Sequence, residues 1–455
     1  MNENSLSRRS FLGVGAAAAG ASLVGARRPV ELAGLEETPE PRRAPVPPSD
    51  RVRFGIIGVG MQGSSLLGES IKLSGVECAA ACDLYDGRHT LAREIAERAD
   101  LRVTRRYQEL LDDKEIDCIV AAVPDHWHRK IVVDAVSAGK DIYIEKPMSH
   151  SPADGVAMVD AAKKSGRILQ VGSQRVSSPI CAKAREMIAK GMLGELTLVE
   201  ASLGRNEPSG AWQYPPPPDL SPQNLDWDTW LGSAPKRPFD PILFARWRAW
   251  KEYGTGVAGD LLVHLISGMM FMLDRNEPPT RAMSVGGIRR WKDGRNTPDV
   301  HAVSYYYGDL PVSMRLNLGT WTPEMYRFQG SKGVLSLEGN DLTFSSQTGQ
   351  DMGPSYYDQS FPKAMREAYE KQWHQENDLR LAREGLAESV TIRGPSVDSL
   401  KVHLQTFYDA VRSRKPVVED VVFGHHAALA CHMANESYFR NAIVSWDAGA
   451  KSIKV

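Results

Sequence analysis

The sequence has little cysteine, no excess of either charge, and no apolar run long enough to cross a bilayer. Its five cysteines, Cys78, Cys82, Cys118, Cys181 and Cys431, are odd in number and lack metal-type spacing, which argues against a disulfide framework and a zinc site. Three of them sit inside apolar, strand-like runs, where a thiol behaves as a small buried hydrophobe. Lys plus Arg (55) balances Asp plus Glu (56), and the basic residues are dispersed, so the stripe that phosphate-backbone binding needs is missing and no nucleic-acid partner is expected. Apolar residues (42 %) and charged residues (24 %) match ordinary globular usage, which excludes a disordered chain. At 455 residues the chain exceeds what one hydrophobic core usually holds, so two domains are expected.

The N-terminus carries Arg8 and Arg9 between Ser7 and Ser10, then Phe11 and Leu12, a weakly apolar stretch over 13–25, and a small-residue exit at Val24, Gly25 and Ala26. This pattern reads as a twin-arginine export signal over 1–26, too short to span a hydrocarbon core of about 30 Å and with no cysteine after it for a lipid anchor. The expected partner is the export machinery, and the expected location is periplasmic or secreted, with no stable membrane anchor. Residues 27–50, rich in Pro, Glu and Arg, read as a linker or extended arm. Because this route carries folded proteins into a compartment without a useful pool of free nucleotide, a cofactor would have to be held tightly.

Residues 51–175 read as a nucleotide domain. An apolar run over 52–57 leads into Gly58, Gly60 and Gly63, with Met61 and Gln62 between them, and then a helical pattern through Leu66, Leu67 and Ile71. In a strand, glycine loop and helix of this kind the first glycine permits the turn, the second admits a pyrophosphate and the third allows close helix packing. A second strand over 76–82 ends at Asp83, placed to accept from ribose hydroxyls and to repel a 2′-phosphate, which favours NAD over NADP, with Arg88 close by. Strands over 116–123 and 141–144 end at Pro124, Asp125, His126, Trp127 and His128 and at Glu145, Lys146 and Pro147; a last strand over 168–172 ends near Gln174. Ligands of such sheets sit at these strand ends.

The glycine loop, the 124–128 segment, Glu145-Lys146-Pro147 and the 260–264 segment, in this order, resemble the Gfo/Idh/MocA oxidoreductase family, which includes glucose-fructose oxidoreductase and inositol dehydrogenases. The resemblance implies a Rossmann domain with a parallel sheet, followed over 176–455 by an α+β domain with a large, mostly antiparallel open sheet for substrate and oligomer contacts. It implies that Lys146 meets nicotinamide and substrate and that Glu145 neighbours the cofactor ribose. Leu262, Ser267 and Thr255 depart from the family's usual glycine, aspartate and glycine.

The residues fit that chemistry directly. Oxidising a secondary alcohol needs a base and a cation that favours the alkoxide. Lys146 supplies the cation, His264 the base, and Asp260, four positions before it and on one helical face with it, holds a substrate hydroxyl or orients the imidazole. Trp247, in an aromatic loop region over 205–253, is the preferred sugar-stacking residue. Strand patterns over 196–203, 283–288, 300–307, 312–318 and 334–337, and helices over 403–414 and 424–438, complete the second half. The expected substrate is a sugar or polyol, with tightly bound NAD. The alternative is a redox-neutral glycosidase or epimerase working by transient ring oxidation. Long loops point to a homodimer or homotetramer.

Overall fold

The computed structural model describes residues 32–34, 50–347, 354, 356–384 and 389–455. The twin-arginine segment and most of the expected arm lie outside them. Leu32–Gly34 is a short strand paired in parallel with Ser389–Arg393 of the same chain.

Six parallel strands form the first sheet, in the order Arg102–Thr104, Val76–Cys82, Val52–Ile57, Cys118–Ala121, Asp141–Ile144 and Leu169–Val171. Their central members are nearly continuous runs of buried side chains, as a sheet covered on both faces requires. The order reverses between Val52–Ile57 and Cys118–Ala121, and a crevice opens there at the carboxyl ends of the strands.

Among the described residues the second sheet has eleven strands, running from Leu32–Gly34 through Ser389–Arg393, Asp341–Ser346, Gly333–Glu338, Thr322–Gly330, Leu196–Gly204, Leu310–Asn317, Val300–Tyr307, Arg281–Gly287 and Val444–Asp447 to Ser452–Lys454. All neighbours are antiparallel except the first pair and the pair Leu196–Gly204 with Leu310–Asn317. Burial alternates along Val300–Tyr307 and Leu310–Asn317, so one face is covered. Helices Val263–Met272 and Val421–Arg440 cover it, packing Leu265, Met269, Leu429 and Met433 against Tyr305, Met314 and Leu316 in one core. The fold is thus the expected Rossmann half plus a mostly antiparallel second sheet.

A division at residue 176 does not separate the two cores. Helix Ser399–Ser413 returns to the first sheet, where Leu404, Phe407 and Tyr408 are buried with Phe54, Cys118 and Tyr143. Its apolar stripe would be left in water if it stayed with the second sheet alone. All five thiols are buried. None of the described helices is long and apolar enough to cross a membrane.

Candidate active site

The two halves enclose one cleft of about 920 Å³, lined from Gly58 and Asp83 through Glu145 and Lys146 to Asp260 and His264. Gly58 lies at φ +85°, and a Cβ there would strike the Ala122 carbonyl. A Cβ on Gly63 would overlap the Gly58 carbonyl oxygen, so this glycine lets the helix close on the loop. Gly60 precedes helix Met61–Ile71, whose first turn has neither a side-chain cap nor an acid. Gly60, Met61 and Gln62 line the cleft, so the positive helix end and its first amides meet it, the arrangement that receives a pyrophosphate. Asp83 is buried at the next strand end, where Oδ2 accepts from the Val59 amide at 2.8 Å and Oδ1 from the Tyr85 amide at 3.0 Å. It pins the glycine loop, and Arg88 Nη1 stands 3.3 Å from its Oδ2. The continuous volume, the uncapped helix end and the carboxylate at the second strand end fit a dinucleotide.

Pro124 and Trp127 line the wall as expected, but His126 and His128 do not. The turn Asp125–Trp127 carries His126, and the helix that follows it opens with His128. His128 is fully buried, its ring nitrogens 2.8 Å from the Pro147 carbonyl and 3.0 Å from that of Val123, tying two strand-end loops together. His126 sits between the carbonyls of Trp230 (3.1 Å) and Tyr253 (3.3 Å), and burial pushes it down to about 4. Both are struts. Asp125 has a fixed task as well, because its Oδ2 accepts from the amide (2.9 Å) and hydroxyl (2.7 Å) of Thr255, the residue that interrupts the expected glycine run.

At the end of Asp141–Ile144, Glu145 is buried and accepts from Gln62 Nε2 (3.0 Å) and the Lys146 amide (3.2 Å). Burial raises its pKa, against the opposing pull of Lys146 and Gln62. Lys146 Nζ donates to the Asp260 carbonyl (2.7 Å) and to Asp260 Oδ1 (2.9 Å). Arg248 Nε reaches the same Oδ1 at 3.2 Å, and Trp212 Nε1 donates to Oδ2 at 2.9 Å. Burial alone would raise the Asp260 carboxyl, but Lys146 and Arg248 more than reverse this and hold it well below the usual range. Asp260 is an anchored anion with three donors.

That geometry corrects two expectations. Asp260 does not orient His264: among the described residues no hydrogen bond reaches the His264 ring nitrogens, while its carbonyl accepts from Tyr326 Oη (3.1 Å). Nor is the segment a plain α-helix. Ala258–Leu262 forms a π-turn that continues into Val263–Met272, a wider turn often found at functional sites. Here the widened turn is where the Asp260 carbonyl accepts Lys146. Burial, with Lys146 and Arg175 nearby, pushes the His264 imidazole well below its usual value, so the ring is neutral.

Gln174 and Trp247 also line the cleft, and the Arg248 guanidinium lies 4.3 Å from the Trp247 ring centre. The sequence offered Trp212 and Tyr214 only as members of the aromatic loop region and gave Arg205 and Arg248 no role; Arg205, Tyr214 and Arg248 line the cleft, while Trp212 touches it through Asp260. Most of that aromatic stretch reads as packing, and nothing in its spacing marks which of its rings or arginines meets the cleft.

A Rossmann sheet, a glycine loop and a lysine–carboxylate pair facing a histidine in one interdomain cleft define a dinucleotide-dependent type of enzyme fold. Residues 52–173 match the NAD-binding Rossmann fold of the Gfo/Idh/MocA oxidoreductase family, and residues 208–313 match its C-terminal alpha/beta domain. The chain belongs to this family. It is 29 % identical over 150 residues to inositol 2-dehydrogenase from Salmonella typhimurium, covering 32 % of this chain and 44 % of that one. It is 26 % identical over 219 residues to glycosyl hydrolase family 109 protein 1 from a Shewanella species, covering 44 % and 46 %. The match therefore spans less than half the length of these curated relatives. Among solved structures, levoglucosan dehydrogenase in complex with NADH and levoglucosan superposes with a TM-score of 0.62 over 87 % of this chain and 99 % of that chain, at 17 % identity, a likeness of fold.

Proposed function

We propose that the protein is an NAD-dependent oxidoreductase that acts on a secondary alcohol of a sugar or polyol. The observation that carries the reading is the Lys146–Asp260 pair, which shares one cleft with His264 and stands two strands along the sheet from the glycine loop. A nicotinamide bound in the cleft supplies the hydride acceptor. Lys146 then stabilises the alkoxide as the substrate hydroxyl loses its proton, and the neutral His264 imidazole takes that proton at a ring nitrogen. Asp260 keeps the Lys146 ammonium in place, and the Trp247 ring offers an apolar face to the C–H face of the sugar. The Asp83 carboxylate favours NAD over NADP. The inositol 2-dehydrogenase relative supports a polyol or sugar substrate.

Export by the twin-arginine route to the periplasm, with the nucleotide retained through turnover, belongs to the same reading and rests on Arg8 and Arg9. Mass spectrometry of nucleotide released from the denatured, periplasm-purified protein, followed by sugars and polyols with and without an acceptor, tests it. Lys146→Ala should lower turnover by about 10²–10⁴-fold with nucleotide retained. Unchanged turnover would remove the role given to Lys146.

The family 109 glycosyl hydrolase relative favours a second reading, in which a ring carbon would give its hydride to the nicotinamide, the acidified neighbouring C–H would lose its proton as the glycoside leaves, water would add to the resulting double bond, and the hydride would return. Catalytic release of free sugar from a glycoside with no acceptor present would select it.

A further inference from the structure

The charges at the catalytic end of the cleft bear on what kind of sugar it accepts. Besides Asp125, which acts on Arg248 but whose Oδ2 is taken by the amide and hydroxyl of Thr255, three cations, Lys146, Arg205 and Arg248, meet one further carboxylate there, Asp260. That carboxylate already holds Lys146 Nζ, Arg248 Nε and Trp212 Nε1, so it has little capacity left for a further donor. Glu145 cannot make up the difference, since its oxygens are taken by Gln62 and the Lys146 amide and its burial works against a negative charge.

Two guanidinium groups are left with unused donors. Among the described residues no hydrogen bond engages Arg248 Nη1 or Nη2, although the group stacks 4.3 Å from the Trp247 ring centre and is held at one point by Asp260. Arg205 has no side-chain hydrogen bond or salt bridge among the described residues; only its backbone amide is held, by the Asn317 carbonyl. It acts on Glu207, which lies in solvent, accepts from the Asn206 amide at 3.2 Å, and is screened by water. On its other side Arg205 lines the cleft together with His264 and Tyr214, the wall where the substrate would react.

A neutral sugar closing this cleft would strip water from both guanidinium groups and return only neutral acceptors. A carboxylate or phosphate matches a guanidinium fork in shape and charge. The pyrophosphate of a dinucleotide is accounted for elsewhere, at the uncapped end of helix Met61–Ile71.

Resting on the oxidoreductase reading, we infer that the substrate is an anionic sugar, whose carboxylate or phosphate is held by Arg205 and the free Nη edge of Arg248 while its hydroxyl meets Lys146 and His264. The test uses the full-length protein loaded with NAD and matched sets of ligands: glucose with glucuronate and glucose 6-phosphate, and galactose with galacturonate and galactose 1-phosphate. Reduction of NAD and binding by titration calorimetry are measured separately. At least one anionic member should exceed its neutral counterpart tenfold or more in kcat/KM or in affinity, and the carboxylate and phosphate arms identify which anion the site takes. Arg205→Gln should cut that preference at least tenfold, and Arg205→Lys, which keeps the charge but not the fork, should fall between. Equal or better use of the neutral sugars, or a preference untouched by Arg205→Gln, overturns the inference. Preferential binding of acidic sugars with no NAD reduced by any sugar would instead sink the oxidoreductase reading and leave this one standing. Reduction of NAD by neutral sugars alone would do the reverse.

Discussion

Asp260 carries more of the site than either of its partners, because Lys146 and Arg248 both rest on it with little water around them. Asp260→Asn keeps the shape and removes the charge, leaving two partly buried cations without the anion they share. It should destabilise the fold by about 3 kcal/mol or more in denaturant titration, the usual order for breaking a buried ion pair from one side. It should also cost about 10²-fold in kcat, since Lys146 is no longer held at the reacting hydroxyl. His264 makes a second prediction at this scale. The base form of an imidazole is neutral, and its environment lowers the pKa, so the base persists to more acid pH than a solvated histidine allows. The acid limb of kcat/KM should therefore lie below the usual imidazole value of 6.5. His264→Gln should remove that limb together with about 10²–10⁴-fold of activity. A limb at or above the ordinary histidine range would mean that the ring is more solvated than the geometry implies.

At the scale of single elements, the glycine loop shows how closely function depends on backbone approach. Helix Met61–Ile71 meets the loop at Gly63, where any Cβ would run into the Gly58 carbonyl. Gly63→Ala must push the helix end away, so it should weaken NAD binding by tenfold or more, read by fluorescence titration, at a stability cost of about 1–3 kcal/mol. This element was legible in the sequence because the glycines follow an apolar strand, open a helical pattern and precede a second strand that ends at Asp83; glycines alone, common in loops, would not have marked it. Other elements were hidden for equally physical reasons. Strand Thr322–Gly330 opens with Thr322, Pro323 and Glu324 and shows a register shift, so its alternation is broken where it starts. Helix Lys363–Glu384 is so rich in charge that no continuous apolar stripe marks it. His126 and His128 read as ligand-facing because they follow a strand end, but both rings are taken by backbone carbonyls away from the cleft wall, and sequence spacing does not encode those partners. Lys146, Asp260 and His264 were visible as residue types in order. Their pairing was not, since Asp260 reaches Lys146 and Arg248 instead of the imidazole four positions away.

For the whole molecule, the consequence of the fold is that the nucleotide half is completed by the end of the chain. Helix Ser399–Ser413 lays Leu404, Phe407 and Tyr408 on the first sheet, and Tyr408 Oη donates to Ser70 Oγ at 2.8 Å. Arg412 Nη2 donates to the Gly75 carbonyl at 2.8 Å, and Arg414 pairs with buried Asp141 beside the strand that leads to Lys146. Helix Val421–Arg440 extends the link, since Val421 and Ala428 belong to the core of the first sheet while Leu429 and Met433 belong to that of the second. The two halves should therefore unfold together. Phe407→Ala removes a fully buried ring and should cost about 3–5 kcal/mol. The loss should appear in calorimetry as a lower midpoint of one shared transition, with NAD binding lost at the same temperature as the signal of the second sheet. Two separated transitions, with only the nucleotide half shifted, would show that the returning helix merely decorates the first sheet; a single transition would make it the element that holds the strand ends of the first sheet against Asp260 and His264.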